Sequence, residues 1–126
     1  MKMDINKMEL SKRKCIPCND KSLKPFDLER AEEYMVDVKG WELIKPTEDG
    51  LSQNNVLKIS REFVFKDFVE ALEFVNRVGD LAETEGHHPD ILMHSWNKVV
   101  VTLYTHSIAG LSENDYILAA KINEVN

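Results

Sequence analysis

Between Val56 and Phe65 the chain alternates. Leu57, Ile59, Phe63 and Phe65 share one face, while Lys58, Ser60 and Glu62 share the other. A two-residue repeat belongs to an extended strand, so this segment reads as part of a sheet with one buried and one wetted face. That pattern favours antiparallel pairing. At Asp67 the period changes. Phe68, Leu72, Val75 and Ala82 fall on one helical stripe, which Phe74, Val78 and Leu81 widen. A half-wetted strand running directly into an amphipathic helix points to a layered fold that mixes both element types.

The flanking residues extend the pattern. Asp27 is placed to cap a helix carrying Leu28, Ala31, Met35 and Val38, with Gly40 as its stop. Trp41 to Lys45 reads as a short strand closed by Pro46, and Glu48, Asp49 and Gly50 as a turn. Asp67 and Glu70 have capping-box-like spacing, and the helix they open should end near Glu85, before Gly86. Ile91 to Met93 is a short apolar stretch, and Asn97 with Lys98 is the expected hairpin turn. Val99 to Thr105 is rich in β-branched residues and is the strongest strand. Ser112 and Asp115 are spaced to open a final helix bearing Ile117, Leu118, Ile122 and Val125. The order is α-β-β-α-β-β-α. This is an α+β fold, a four-stranded antiparallel sheet with helices packed on one face; the other face is solvated or covered by a partner.

Charge divides the chain. Residues 1–25 carry seven basic and three acidic side chains, the rest nine and nineteen, and the whole chain is at −6. Residues 1–24 lack a helical or strand period and read as a flexible arm, whose removal as far as residue 20 should leave fold and catalysis intact. Residues 25–126 read as one domain. A net negative charge argues against direct nucleic-acid binding through a basic surface. No apolar run is long enough for a membrane span, and the N-terminus lacks a secretory pattern. Cys15 and Cys18 form a single Cys-x-x-Cys, too little for a disulfide scaffold. They read as two thiols on the arm, with a redox pair or half a zinc site as the other options. A cytoplasmic domain is expected.

All four histidines lie within 20 residues: His87, His88, His94 and His106. Imidazole exchanges protons near neutral pH, so such a cluster suits general acid–base chemistry. Pro89 restricts His88 to extended backbone, which turns its ring away from that of His87. Adjacent histidines on an extended strand converge poorly on one ion, so no metal is expected. No Gly-rich phosphate loop and no Gly-x-Ser-x-Gly elbow occurs.

The run Glu83–Thr84–Glu85–Gly86–His87–His88–Pro89–Asp90, continued by Trp96, His106 and Asp115, resembles the signature of the pterin-4a-carbinolamine dehydratases. Lys66–Asp67–Phe68 and Gly110–Leu111–Ser112–Glu113–Asn114–Asp115 are similar to further landmarks of that family. The resemblance spans about residues 22 to 124. It implies dehydration of a 4a-hydroxytetrahydropterin to the quinonoid dihydropterin, in tetrahydrobiopterin recycling, by a homodimer or homotetramer without metal or organic cofactor. The partners it implies are the pterin substrate and an aromatic amino acid hydroxylase. Some members also act as a dimerisation cofactor of a transcription factor, so a non-catalytic pterin-binding, regulatory or assembly module is the alternative. His87, His88 and His106 are the candidate catalytic residues. His87 and His106 would divide acid and base, and His88 would hold substrate. Glu83, one helical turn before His87, could fix an imidazole tautomer. Asp115, Trp96 and Pro89 complete the candidate site, with Trp96 against its wall. The Pro89–Trp96 stretch is one residue longer than in the animal enzymes, which predicts a strand bulge. Asn114 stands where those enzymes carry Arg, and no role is assigned to it.

Overall fold

A computed structural model describes residues 9–16, 23–46 and 56–126. Cys18 and the turn expected at Glu48–Gly50 lie outside the described residues. Helix α1 (Leu28–Tyr34) is capped by Asp27, whose side chain accepts the Arg30 N–H at 2.9 Å. It gives way to a 3₁₀ turn, Met35–Asp37, so the α-helix is shorter than its apolar spacing suggested. Ala31 and Val38 are buried while Leu28 is exposed. Gly40 then takes a φ of +85°, a conformation open to glycine, and the chain turns into strand β1 (Glu42–Ile44).

Strands β2 (Lys58–Val64), β3 (Asp90–His94) and β4 (Lys98–Leu103) complete an antiparallel sheet in the order β1-β2-β4-β3. The alternation read from sequence holds across it. Ile59, Phe63, Val99, Val101 and Leu103 are buried on the inner face. The outer face carries Ser60, Glu62 and Val64 opposite Thr102, Val100 and Lys98. Ser60 and Thr102 share a 3.0 Å hydrogen bond there, and Val64 and Leu92 stay exposed.

Helix α2 (Phe68–Glu85) lies on the inner face. Asp67 caps it by accepting the Glu70 N–H, and the Glu70 carboxylate accepts the Lys66 N–H. Its core side is centred on Ala71, Phe74, Val78 and Ala82. The expected stripe is therefore rotated: Phe68 and Leu72 fall at its flank, half exposed, because the buried face centres on Phe74 and Val78. Helix α3 (Glu113–Val125) is buried along most of its length, through Tyr116, Ile117, Leu118, Ala119 and Ile122.

The β3–β4 turn is Ser95–Asn97, and Lys98 already belongs to β4. Ser95 and Trp96 both take positive φ, 50° and 58°, a left-handed pair that suits the twist of a hairpin. The predicted bulge is not in the strand. All five residues of β3 pair one-to-one with β4, from Asp90 opposite Thr102 to His94 opposite Lys98. The irregular backbone is confined to the turn.

The segment expected to be an arm is packed along residues 9–16. Leu10, in a 3₁₀ turn Leu10–Lys12, is buried in the main core. Ile16 hydrogen-bonds to Asn114 through its backbone. This segment lacks a period because it is held by single anchors, not by a repeating face.

Candidate active site

Helix α2 ends in Gly86, with φ +66° and ψ 27°. The His87 N–H reaches back to the Ala82 carbonyl at 3.2 Å, closing the last turn. That left-handed residue aims the chain at the sheet, and alternation then sorts the two histidines. His87 turns inward and is 4% exposed; His88 turns outward and is exposed.

His87 Nε2 lies 2.6 Å from Asp115 Oδ1. Asp115 is fully buried. Its other oxygen, Oδ2, accepts the Thr105 hydroxyl at 2.9 Å and the Ser112 backbone N–H at 2.9 Å. Thr105 has one hydroxyl proton, given to Asp115, so the Ser112 hydroxyl donates to Thr105 across their 2.9 Å contact. A carboxylate only accepts, which assigns the proton of the His87–Asp115 contact to Nε2 and makes Nδ1 the lone-pair nitrogen of the neutral ring. Asp115 therefore combines two tasks, since it also closes the first turn of α3.

His106 opens a 3₁₀ turn, His106–Ile108, directly after Thr105. Its ring is exposed and lies on Tyr104, centroids 4.0 Å apart at 33°. Tyr104 in turn has the Lys58 ammonium 4.6 Å from its ring centre. The chain returns through a bridge between Thr105 and Gly110, which brings Ser112 and Asp115 under the end of β4. Thr105, the residue before His106, thus shares the Asp115 carboxylate with His87, while the His106 ring lies on Tyr104.

Glu83 pairs with His88, not with His87: its Oε2 is 3.1 Å from His88 Nε2, and both side chains are solvent-facing. The helix ends at Gly86, so the one-turn spacing from Glu83 does not carry on to residue 87. Pro89 is half-buried behind the pair. Trp96 is not brought to this site. It sits in the turn at the opposite end of the β3–β4 hairpin, 61% exposed, because β3 runs away from His88 toward that turn. His94 is also at that end, with Nε2 2.8 Å from Glu62 Oε1.

Sequence reasoning missed Thr105, Ser112 as a hydroxyl donor, and Tyr104 beneath His106. The inward parity of Thr105 in the strongest strand was the available signal for a buried hydroxyl needing a partner. Among the described residues, no three His, Cys, Asp or Glu side chains are grouped to hold a metal ion. The arrangement offers an imidazole held by a buried carboxylate and two exposed imidazoles near the same end of the sheet.

Comparisons with known proteins identify relatives of the chain. A sequence model of the pterin 4 alpha carbinolamine dehydratase family matches residues 24–125. The mitochondrial pterin-4-alpha-carbinolamine dehydratase 2 of Arabidopsis thaliana is 44% identical over 93% of this chain, which spans 59% of that relative's length. A relative from Alkaliphilus metalliredigens carrying the same dehydratase name is 42% identical over 91% of this chain and 94% of its own. Both matches take in part of the N-terminal segment that the family match leaves out. A crystal structure described as a transcriptional coactivator/pterin dehydratase from Brucella melitensis superposes with a TM-score of 0.66 at 30% identity, over 81% of this chain and 98% of that one. The chain belongs to the pterin-4a-carbinolamine dehydratase family.

Proposed function

We propose that the protein is a hydro-lyase that dehydrates a 4a-hydroxytetrahydropterin to the quinonoid dihydropterin, with His87, His88 and His106 as its working groups. The reaction breaks the C4a–O bond, delivers a proton to the leaving hydroxyl and removes one from the neighbouring ring nitrogen, so that a C=N bond forms as water departs. The observation that carries the reading is the 2.6 Å contact between His87 and the buried Asp115, in a chain of this family. An imidazole oriented by a buried carboxylate is equipped to take or give a proton. His106, exposed and stacked on Tyr104, carries the complementary transfer. His88, on the solvent side with Glu83, holds the substrate ring.

The test is turnover of a 4a-hydroxytetrahydropterin, generated by a phenylalanine hydroxylase, by wild type and His106→Ala. The variant should lose roughly 10²–10⁴-fold in kcat. A His106→Ala enzyme with wild-type kcat overturns the division of labour. His88→Ala should raise KM more than it lowers kcat, since mostly uniform binding is removed.

Catalysis by the protein's own side chains, a cytoplasmic setting and supply of substrate by an aromatic amino acid hydroxylase belong to the same proposal. Cell fractionation tests the compartment; the Arabidopsis relative's name places that protein in the mitochondrion. Among the described residues, no helix is long and apolar enough to cross a membrane. A second reading, a binding or regulatory module, is favoured by one observation. Phe68, Val69 and Leu72 leave an exposed apolar patch on the first turns of α2.

A further inference from the structure

Two short stretches carry the His87–Asp115 contact: the last turn of α2, two residues before His87, and the first turn of α3, which contains Asp115. Residues 13–16 bind both. The Cys15 N–H donates to Glu85 Oε1 at 3.2 Å, at the last residue of α2. Glu85 Oε2 is 3.6 Å from Lys121 Nζ on α3, and the two side chains are only 10% and 16% exposed. Asn114, immediately before Asp115 and 1% exposed, grips Ile16 at both ends: its Oδ1 accepts the Ile16 N–H at 2.8 Å and its Nδ2 donates to the Ile16 carbonyl at 2.7 Å. The Cys15 thiol faces the Asn114 carbonyl at 3.7 Å, and Arg13 pairs with Glu113, the first residue of α3. Every one of these anchors on the helices lies within two residues of His87 or Asp115, except Lys121.

We propose that residues 13–16 form a positioning strap for the histidine site, with Asn114 as its principal receptor. By tying the end of α2 to the start of α3, the strap holds Asp115 at hydrogen-bonding distance from His87 and so keeps the His87 proton on Nε2. The inference rests on the reading of His87 as a working group. The strap residues are positioning residues that act through Asp115. A shift of about 1 Å in a group that aims a catalytic side chain can cost about a hundredfold in rate, so a small slackening of this junction is enough to register in turnover.

The experiment uses the full chain with Asn114→Ala, Glu85→Ala, Glu85→Gln and His87→Ala. Asn114→Ala is expected to lower kcat about 10- to 100-fold with KM within about threefold, because substrate contacts stay while the proton relay loosens. The ¹⁵N NMR signals of His87 should move from a single Nε2–H tautomer toward a mixture. A merely structural role would lower the melting temperature without changing the tautomer of the folded protein. Glu85→Gln keeps an acceptor for the Cys15 N–H and should recover at least half of the kcat lost in Glu85→Ala. A folded Asn114→Ala protein with wild-type kcat and an unmixed His87 tautomer overturns the strap. Should Asn114→Ala not fold, the Glu85 pair decides: equal kcat in Ala and Gln variants overturns it, recovery by Gln supports it. Wild-type kcat in His87→Ala overturns the site reading instead. In that case the His87 tautomer in Asn114→Ala still decides the strap by itself, a mixture supporting it and an unmixed tautomer overturning it.

Discussion

Asp115 shows how much one side chain can be asked to do. Its two oxygens meet an imidazole, a hydroxyl and a backbone N–H in a site with no exposure to solvent. Asp115→Asn keeps the shape but puts an amide donor at one of the two oxygen positions, so either a contact breaks or the amide donates to His87 Nε2 and forces the ring into its Nδ1–H tautomer. We expect kcat to fall on the order of 10²-fold or more in either case, with a stability loss of no more than about 1–3 kcal/mol. Single-turnover kinetics and urea denaturation measure the two effects. The spacing of Ser112 and Asp115 announced the cap, yet nothing local in the sequence announces that the same carboxylate meets His87, 28 residues away. Cys15 is the opposite case: read from sequence as a thiol on an arm, it is instead half-buried against the ends of α2 and α3. Burial pushes its thiol up from 9.0 to about 12, with the Glu85 carboxylate adding to the effect. The folded state keeps a proton that the unfolded chain releases, so its contribution to stability is complete below pH 9 and is lost as the pH rises through about 12. Alkylation of Cys15 in the Cys18→Ser protein at pH 8.5 should run at least about tenfold slower than that of an unhindered thiol. Rapid labelling under native conditions contradicts this.

Helix ends govern the elements. Gly79 and Gly86 sit in the same helix region, and their environments predict opposite outcomes. Gly79 has nothing within 4 Å of where a Cβ would stand, and its φ is not positive. Gly79→Ala should therefore stabilise by up to about 1 kcal/mol, by removing glycine's excess freedom in the unfolded chain. Gly86 is equally open but has a φ of +66°. Gly86→Ala should cost about 1–2 kcal/mol without any clash. Thermal melts of the two variants, moving in opposite directions from wild type, provide the check. Boundaries set by such capping residues were legible: Asp27, Asp67, Gly86 and Ser112 all stand where their chemistry placed them. The rotation of the α2 stripe and the Ser95–Asn97 turn were not. Both depend on partners across the fold, the sheet that α2 meets and the β4 register that places Lys98 opposite His94.

At the scale of the molecule, β1 and β3 are the edge strands of the sheet among the described residues, and Leu92 and Val64 are exposed on its outer face. Unpaired edges favour association unless charge or cover blocks them. We expect light scattering at micromolar concentration to give a mass of at least two chains; a species at 14.5 kDa alone refutes it. The α+β layering was readable because alternation and helical spacing are local signals. The docking of residues 9–16 was not, since the hydrogen-bond partners of residues 13–16 stand 70 to 100 positions further on. Ile16 meets Asn114 across 98 residues and Arg13 meets Glu113 across 100. That distance sets an order of events during synthesis. The strap emerges from the ribosome before helix α3 and cannot dock on it until α3 has followed it out. Closing so long a loop makes the strap one of the last contacts to form. Residues 13–16 therefore wait for helix α3 before they can make their contacts with Glu113 and Asn114.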